Sequence, residues 1–289
     1  MDRAATFEAE RERLFAIAYR MLGSASDAAD VLQEAYLRWQ EASFPDVESP
    51  RAYLSTIVTR LAIDHLKSAR VQRERYVGPW LPEPLVEETG PSPADQLVLA
   101  ESLSMAFLLV LEELGPIERA VYILRELFDY PYDDVARIVG KSEAHCRQLL
   151  HRARARVVAA REHPAATPAD EQGRLMKQFL ATLATGDVET LASMLAADVV
   201  LWSDGGGKRT AARKPVRGPE RVARFFSNIW RRGLGGFVIR AVRVNGTPGI
   251  VAYMGARPYC VVAFDVTAGR IAAIRTVVNP EKLAHLGPR

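Results

Sequence analysis

A strongly basic stretch lies near the middle of this chain of 289 residues. Between Arg137 and Arg161 the sequence has seven lysines and arginines and one acid, although the net charge of the whole chain is only +3. Such a cluster can neutralise phosphates, and an arginine and a glutamine near a helix N-terminus can reach base edges in a major groove. The pattern therefore indicates contacts to DNA. Its alternative is a solvated basic face on an ordinary pair of helices.

Two short helices joined by a turn would position these groups. Val135 and Ile138 form the apolar face of the first helix, Gly140 can supply the positive φ that ends it, and Ser142 is a good N-cap for the second. The solvent-facing candidates on the second helix are Arg147 and Gln148 for base edges, Arg152 and Arg154 for phosphates, and His151, which is equally well an exposed histidine without a role.

A second chemically suggestive group lies on an earlier predicted helix. Ser24 and Asp27 resemble a capping box that opens this helix, and apolar residues recur along it at helical spacing. Asp30, Gln33 and Glu34 follow within about one turn of each other and can present carboxylate and amide groups to a basic partner. The alternative is a solvated helix face.

A third group consists of cations on the next predicted helix and just after it. The residues that could contact phosphates are Arg60, Lys67, Arg70, Arg73 and Arg75. Tyr53 and Tyr76 are candidate stacking surfaces for unpaired bases. Tyr53 is as readily a core residue, because aromatic side chains at helical spacing usually are.

The composition is that of a globular protein large enough for two or three domains. Apolar residues make up 48% of the sequence and charged residues 25%. The first residues have mixed charge without the apolar run of a signal peptide, and no stretch approaches the roughly 20 apolar residues that span a bilayer. Cys146 and Cys260 stand alone, which argues against a zinc site or a disulfide. We expect a cytoplasmic protein without a metal, a cofactor or a membrane partner.

Changes in local composition divide the chain. Residues 6–76 are predicted to be wholly helical. Residues 77–101 form an acidic, proline-rich linker with five acids, no lysine or arginine, and apolar anchors at Trp80 and Leu81. Residues 102–162 return to helix and end in the basic helix pair. Residues 170–285 are predicted to form a further domain.

This C-terminal domain mixes helices with β-type runs. Helices are predicted over Arg174–Thr185, Val188–Leu195 and Pro219–Arg232, with Asp187 as the N-cap of the second. The predicted strands are Val199–Ser203, Phe237–Val244, Ile250–Met254, Tyr259–Val266 and Arg270–Val278, the last two joined by a turn at Thr267–Gly269. This order predicts an α+β domain in which helices cover one face of a curved antiparallel sheet.

Several motifs resemble the bacterial extracytoplasmic-function sigma factors. Asp27–Trp39 is similar to the region 2 helix of that family, with its acidic pair, its Gln-Glu and its aromatic residue. Arg51–Leu54 and Leu61–Lys67 match the helix that follows, and Leu114–Glu126 together with the basic helix pair matches region 4. Thr59 departs from the asparagine that most members carry, so no role is carried over to that side chain.

The resemblance implies two all-α modules and a division of labour among the three groups. Asp30, Gln33 and Glu34 would bind core RNA polymerase. The cations from Arg60 to Arg75 would hold the −10 element of promoter DNA, and the residues from Arg147 to Arg154 would read its −35 element. The implied function is transcription initiation without catalysis.

Three further motifs resemble a subgroup with a fused C-terminal SnoaL-like domain, a cone of the nuclear-transport-factor-2-like fold. They are Trp80-Leu81-Pro82-Glu83-Pro84 in the linker, Asp204-Gly205-Gly206-Gly207-Lys208 after a strand, and Asn279-Pro280-Glu281-Lys282-Leu283 near the end of the chain. The resemblance implies that the cone regulates the sigma factor in cis, in place of a separate anti-sigma protein.

Charge suggests how the cone is attached. Residues 208–232 have nine lysines and arginines against one acid, opposite in sign to the linker. We expect the cone to dock electrostatically on the linker, to pack against both sigma modules, and to limit promoter engagement until a signal shifts the population. An unidentified small-molecule ligand of the cone is one candidate for that signal.

Two other classes of function stay open. A ligand-sensing helix-turn-helix regulator would bind duplex DNA without polymerase, and the region 2 pattern counts against it. An enzyme would use the cone on a small ring substrate, with Asp198, Asp204 or Asp265 as acid or base. The absence of a histidine between His163 and His285 counts against the enzyme.

Overall fold

The computed structural model describes residues 2–41, 49–73, 76–87, 103–160, 167–231 and 236–287, with backbone only for residues 69–73, 160 and 169–170. The chain divides into two compact units. The first unit comprises Met1–Arg75 and Leu108–Glu162, and the second comprises Tyr76–Phe107 and His163–Arg289. No helix among the described residues is long and apolar enough to cross a membrane. The same residues contain no cluster of side chains suited to a metal ion.

Helices build the first unit. In chain order they are α1 (Arg3–Leu22), α2 (Ala25–Glu41), α3 (Pro50–Arg73), α4 (Met105–Glu112), α5 (Pro116–Tyr122), α6 (Tyr132–Val139) and α7 (Glu143–Ala160). A π-helical turn, Ile123–Leu127, continues α5, and the boundary between the units falls within α4. Apolar residues at helical spacing turn one stripe of each helix inward, and Leu14, Trp39 and Leu54 are among the fully buried side chains.

The predicted signals for helix ends are confirmed. Gly23 and Gly140 have φ angles of 66° and 67° and end α1 and α6. The Ser142 hydroxyl accepts a hydrogen bond from the His145 amide (3.3 Å) at the start of α7. The turn between α6 and α7 therefore forms as its local sequence predicts.

The second unit combines helices with one sheet. Its helices are α8 (Ala169–Thr185), α9 (Val188–Ser193), α10 (Pro219–Arg231) and a short 3₁₀-helix (Glu281–Leu283). Its strands are β1 (Val86–Glu87), β2 (Leu195–Asp204), β3 (Val216–Arg217), β4 (Phe237–Val244), β5 (Thr247–Met254), β6 (Arg257–Thr267) and β7 (Arg270–Val277). Within the described residues the strand order is β1-β4-β5-β6-β7-β2-β3.

The sheet differs from the predicted one in two respects. Strands β2 and β7 run parallel, with Leu201 opposite Ile274, so the sheet is mixed rather than purely antiparallel. These two strands are far apart in the sequence, and no hairpin forces them to be antiparallel. The linker also contributes β1, which no local pattern predicted. The hairpin at Thr267–Gly269 is confirmed, because Ala268 and Gly269 take positive φ angles of 49° and 70°.

Helices α8, α9 and α10 cover one face of the sheet. Phe179 of α8 lies at their centre, with its ring 5.4 Å from that of Phe226 and 5.3 Å from that of Phe264. The other face is also apolar, since Val251, Val261 and Val277 are fully buried there. The 3₁₀-helix near the end of the chain packs against β6. The end of the chain is therefore brought close to the end of β2.

Candidate functional site

Asp204, the last residue of β2, is the centre of a polar cluster that ties the linker to the cone. Its fully buried carboxylate accepts hydrogen bonds from the Tyr76 hydroxyl (2.5 Å), the Leu81 amide (2.8 Å) and the Lys282 ammonium group (2.8 Å). Its backbone carbonyl accepts another from the Asn279 amide (3.0 Å). We call this group the Asp204 cluster. It joins three segments that are distant in the sequence.

Lys282 supplies the cation of the Asp204 cluster. Its largely buried ammonium group also donates to the Leu81 carbonyl and lies over the rings of Trp80 (4.1 Å) and Tyr76 (4.9 Å). These oxygens and aromatic faces replace the water that a buried ammonium group loses. Because Lys282 and Asp204 neutralise each other, both charges can be buried together.

The remaining residues of the three motifs complete the cluster. The Asn279 amide group donates from Nδ2 to the Tyr76 hydroxyl (2.9 Å). Gly206 has a φ of 57°, and a Cβ at that position would lie 2.3 Å from Asn279 Nδ2, so both conformation and space exclude a side chain. Lys208 pairs with Glu281 at the exposed edge. The segments Trp80–Pro84, Asp204–Lys208 and Asn279–Leu283 therefore meet in one place.

Tyr76 is part of this cluster rather than of the −10 helix to which the sequence assigned it. Burial and the hydrogen bond to Asp204 raise the pKa of Tyr76 above its ordinary value. The phenol therefore stays protonated and keeps donating to the carboxylate across physiological pH. Its ring faces Lys282 in this structure, and stacking of Tyr76 on an unpaired base stays a prediction that needs the cluster to open.

The linker also extends the sheet of the cone. Strand β1 pairs antiparallel with β4, and Val86 lies opposite Val244. In the turn after β4, the Asn245 backbone amide donates to the Leu85 carbonyl (2.8 Å), and its side chain accepts from the Leu85 amide (3.1 Å) and donates to the Leu103 carbonyl (3.0 Å). Sequence reasoning missed Asn245. An Asn-Gly pair between two β-runs signals a tight turn, but it does not indicate what lies beside that turn.

The charged contacts of the linker that the structure describes involve the end of β2 and the C-terminal segment of the cone. Besides the buried Asp204–Lys282 pair, Glu83 lies 3.9 Å from His285, whose ring also contacts the Pro84 carbonyl (2.8 Å). The docking of the basic run 208–232 on the acidic linker stays a prediction. The linker acids Glu88, Asp95 and Glu101 lie outside the described residues.

The residues predicted to bind polymerase share one exposed face of α2. Asp30, Gln33 and Glu34 are all exposed, and Glu34 accepts a hydrogen bond from Arg38 (2.9 Å). Leu37 lies on the same face and is 52% exposed. Its position seven residues after Asp30 was the signal that could have added it to the predicted set.

The residues predicted for the −10 element differ in their surroundings. Lys67 is exposed and pairs with Asp64 (2.8 Å). The ring of Tyr53 is half-buried, 5.8 Å from that of Trp39, which favours its interpretation as a core residue. Arg70 and Arg73 lie in α3, where only their backbone is described, and Arg75 lies outside the described residues.

Arg60 makes a contact that the sequence did not predict. Its guanidinium group donates to the carbonyls of Arg137 (3.0 Å) and Ile138 (3.0 Å) at the C-terminal end of α6. The helix dipole makes that end favourable for a cation. A similar contact runs from the second helical module to the first. The Arg119 guanidinium group of α5 donates to the Met21 carbonyl (2.6 Å) at the end of α1. Burial lowers the pKa of Arg119 to about 10, which leaves the group charged at neutral pH.

A further contact joins the same parts of the first unit. The Tyr130 hydroxyl lies 2.6 Å from the Ser55 hydroxyl and accepts a hydrogen bond from the Arg13 guanidinium group. Arg13 also donates to the Ser55 hydroxyl (3.0 Å). Together with the contacts of Arg60 and Arg119, these bonds join α1 and α3 to the helices that follow the linker. We call this set the module contacts.

The candidate −35 residues project from the solvent side of α7. Arg147, Gln148, His151, Arg152 and Arg154 are all exposed, while Cys146 and the leucines face the core. Arg147 pairs with Glu143 (2.8 Å), and Arg154 makes two bonds to Glu126 (2.7 and 3.1 Å). Exposed pairs contribute at most about 1 kcal/mol, so DNA can replace these glutamates as the partner of each arginine.

The carboxylates considered for acid–base catalysis are either paired or fully exposed to water. Asp204 is held by Lys282, Asp265 is held by Arg275 (2.5 Å), and Asp198 is exposed. A cavity of about 310 Å³ beside the Asp204 cluster is lined by the loop 205–213 and the linker residues 77–78. Cations and backbone line it, rather than the apolar side chains typical of a small-ring substrate site.

Family comparisons divide the chain as its motifs do. Residues 6–71 match the family described as Sigma-70 region 2, residues 104–157 match Sigma-70, region 4, and residues 176–274 match the SnoaL-like domain. These matches span both helical modules and most of the cone. The predictions of an α-helical sigma part and an α+β SnoaL-like domain are confirmed.

Two relatives that align with nearly the whole chain are described as ECF RNA polymerase sigma factors. The chain is 38% identical to the ECF RNA polymerase sigma factor SigJ of Mycobacterium tuberculosis, over 96% of this chain and 91% of that protein. It is 32% identical to the probable ECF RNA polymerase sigma factor SigI of the same species, over 98% and 95%. The crystal structure of SigJ matches with a TM-score of 0.77 at 34% identity, covering 97% of this chain and 98% of that one. The chain therefore belongs to the extracytoplasmic-function RNA polymerase sigma factors with a fused SnoaL-like domain, which are transcription initiation factors rather than enzymes.

Proposed function

We propose that this chain binds core RNA polymerase through α2 and directs it to promoters by reading the −35 element with α7 and the −10 element with α3. The observation that carries the proposal is the helix-turn-helix of α6 and α7, whose second helix exposes Arg147 and Gln148 near its start. The exposed polar face of α2 lies in the same unit. The factor then acts in the cytoplasm, where polymerase is.

Polymerase binding is assigned to Asp30, Gln33 and Glu34, with Leu37 as an apolar contact on the same face. Replacing the three polar residues together by alanine should abolish co-purification with core polymerase, because alanine keeps the helix but removes its polar groups. The control is the triple alanine variant of Glu8, Glu12 and Glu113, which should bind normally. Retention of the α2 variant on core polymerase would reject this assignment.

Promoter reading is assigned to two kinds of contact on α7. Arg147→Ala should weaken binding by about 1–3 kcal/mol at one or two −35 positions, because a base contact is lost. Arg154→Ala should weaken binding to all sequences and flatten its salt dependence, because a phosphate contact is lost. Equal losses on every sequence for both variants, in a binding assay against single-base substitutions, would contradict the assignment to Arg147.

Regulation in cis is assigned to the Asp204 cluster. The linker connects the two sigma modules, and its anchoring on the cone fixes a segment that would otherwise be free to lengthen. The fused arrangement acts at high effective concentration, so the cone needs no separate partner to hold the linker. The cone thereby limits the spacing available to the modules until a signal releases it.

The module contacts hold the two sigma modules together in a closed arrangement, which we expect to open when promoter DNA is bound. Arg60, a candidate −10 residue, donates from two of its guanidinium nitrogens to the carbonyls at the end of α6, so this part of the group is engaged with α6 rather than with DNA in this state. We expect α3 and α6 to part when the −35 and −10 elements are engaged together. That step frees the whole guanidinium group of Arg60, whereas Lys67 is exposed already.

A further inference from the structure

The cone carries a row of exposed cations that its own acids do not neutralise. This cationic strip consists of Arg213, Lys214, Arg217 and Arg221. All four are exposed, and none is within ion-pair distance of an acid among the residues that the structure describes. The strip is separate from the Asp204 cluster, whose cation is Lys282.

The elements of the cone place these cations close together. Arg213 and Lys214 lie in the loop that leads to β3, Arg217 ends β3, and Arg221 is in the first turn of α10. Strand β3 and α10 are in contact and are separated in sequence by Gly218 alone. Arg224 continues the same side of α10 three residues later. The strip is therefore carried by one short segment, residues 213–221, and by two elements that are in contact.

The stability of the cone does not account for the strip. Arg221 lies in the first turn of α10, where the helix dipole disfavours a cation, and Arg213 stands next to Lys214. Residues 208–232 hold nine lysines and arginines against one acid, while the net charge of the whole chain is only +3, so the remainder of the chain is net negative. Like charges gathered at this cost are typical of a surface that meets a polyanion.

We infer that the cationic strip binds the phosphate backbone of promoter DNA, which makes the cone a third DNA-contacting module besides α3 and α7. The inference rests on the proposed function, because the duplex in question is the promoter that α3 and α7 are proposed to bind. Phosphate contacts carry no sequence information. The strip should therefore add affinity and salt dependence without changing which promoter is chosen.

A matched pair of double variants tests the inference. Arg217→Gln with Arg221→Gln removes two charges from the strip. Lys177→Gln with Arg257→Gln removes two exposed charges from elsewhere on the cone, so the net charge of the two proteins is identical. Each is assembled with core polymerase, and binding to a labelled promoter duplex and to an unrelated duplex is measured by fluorescence anisotropy over a range of salt concentrations.

The expected result is a plot of log affinity against log salt that is less steep by about 2 for the strip variant, and unchanged for its control. The ratio of promoter to unrelated affinity should stay at the wild-type value in both. Equal slopes for the two variants would overturn the inference, as would a strip variant whose only defect is weaker binding to core polymerase. A wild-type complex without promoter preference would instead contradict the proposed function, and the slopes would still report on the strip.

Discussion

The Asp204 cluster and the module contacts hold two different parts of this chain together with different chemistry. In the Asp204 cluster, a buried carboxylate faces a buried ammonium group, and strand β1 adds backbone pairing to the attachment. In the module contacts, arginines donate to neutral carbonyls at the ends of helices, and two hydroxyl groups complete the set. The Asp204–Lys282 pair lies within the cone, and the linker binds both of its members through backbone groups, a phenol and an aromatic face. In the module contacts, charged groups bind single carbonyls without a buried ion pair or a strand behind them.

The difference indicates which attachment opens during function. Removing one partner of a buried ion pair leaves an uncompensated charge and costs about 3–5 kcal/mol. A hydrogen bond from a charged donor to a carbonyl contributes about 1.5–3 kcal/mol, and water can replace it when the helices part. Because the linker is held by both members of that buried pair and by the pairing of β1 with β4, we expect it to be fixed on the cone more firmly than the two sigma modules are fixed to each other. This order suits a factor whose modules must separate to reach two promoter elements.

The largest expected effect is at Lys282. Lys282→Ala leaves the Asp204 carboxylate buried without its cation and should lower the unfolding free energy of the second unit by about 3–5 kcal/mol. Urea unfolding followed by tryptophan fluorescence measures it, since Trp80, Trp202 and Trp230 all belong to this unit. The control is Lys208→Ala, which removes an exposed pair with Glu281 and should cost at most about 1 kcal/mol. Similar losses of unfolding free energy for the two variants would show that the buried Asp204–Lys282 pair contributes no more than an exposed pair.

A smaller loss of unfolding free energy is expected when a side chain is added at Gly206, because this glycine is crowded by Asn279. Gly206→Ala places a methyl group 2.3 Å from Asn279 Nδ2 at a φ of 57°. Gly255 has a similar φ of 61° but nothing within 4 Å, so Gly255→Ala should cost only the roughly 1–2 kcal/mol of the left-handed conformation. Gly206→Ala should cost more than this in the same unfolding experiment. Equal costs would mean that the Asp204 cluster tolerates the extra volume.

The module contacts should give the smallest effect on stability. Tyr130→Phe and Ser55→Ala each remove one hydroxyl group of the pair, and a double-mutant cycle isolates their interaction. The coupling energy should be about 0.5–1.5 kcal/mol, as for an ordinary hydrogen bond. Unfolding of the first unit measures it. A coupling energy as large as the loss at Lys282 would remove the distinction between the two interfaces.

Local signals in the sequence predicted much of the fold. Gly23, Gly140 and Ser142 act at the helix ends where they were expected, and the turn at Ala268 joins two neighbouring strands. Each of these signals concerns residues a few positions apart, for which backbone conformation and spacing decide the outcome. The exposed faces of α2 and α7 followed from helical periodicity in the same way.

Long-range contacts were not predictable from the same signals. Tyr76 meets Asp204 across 128 positions, and Arg60 reaches Ile138 across 78. Nothing near either residue distinguishes a partner in the protein from a partner in DNA. The parallel pairing of β2 with β7 and the addition of β1 to the sheet edge also depend on segments far apart in the chain. Resemblance to a family indicated that the three motifs act together, but their geometry required the structure.

The most direct test of the account is run-off transcription with core polymerase and a promoter that the factor recognises. The wild-type chain, Lys282→Ala, Lys208→Ala and a chain ending before residue 170 are compared at matched concentration, with release of the linker followed by limited proteolysis. The account predicts that Lys282→Ala and the shortened chain release the linker and raise transcription, while Lys208→Ala behaves as the wild type. Equal transcription from all four proteins, with the linker released in Lys282→Ala and in the shortened chain, would contradict regulation through the Asp204 cluster.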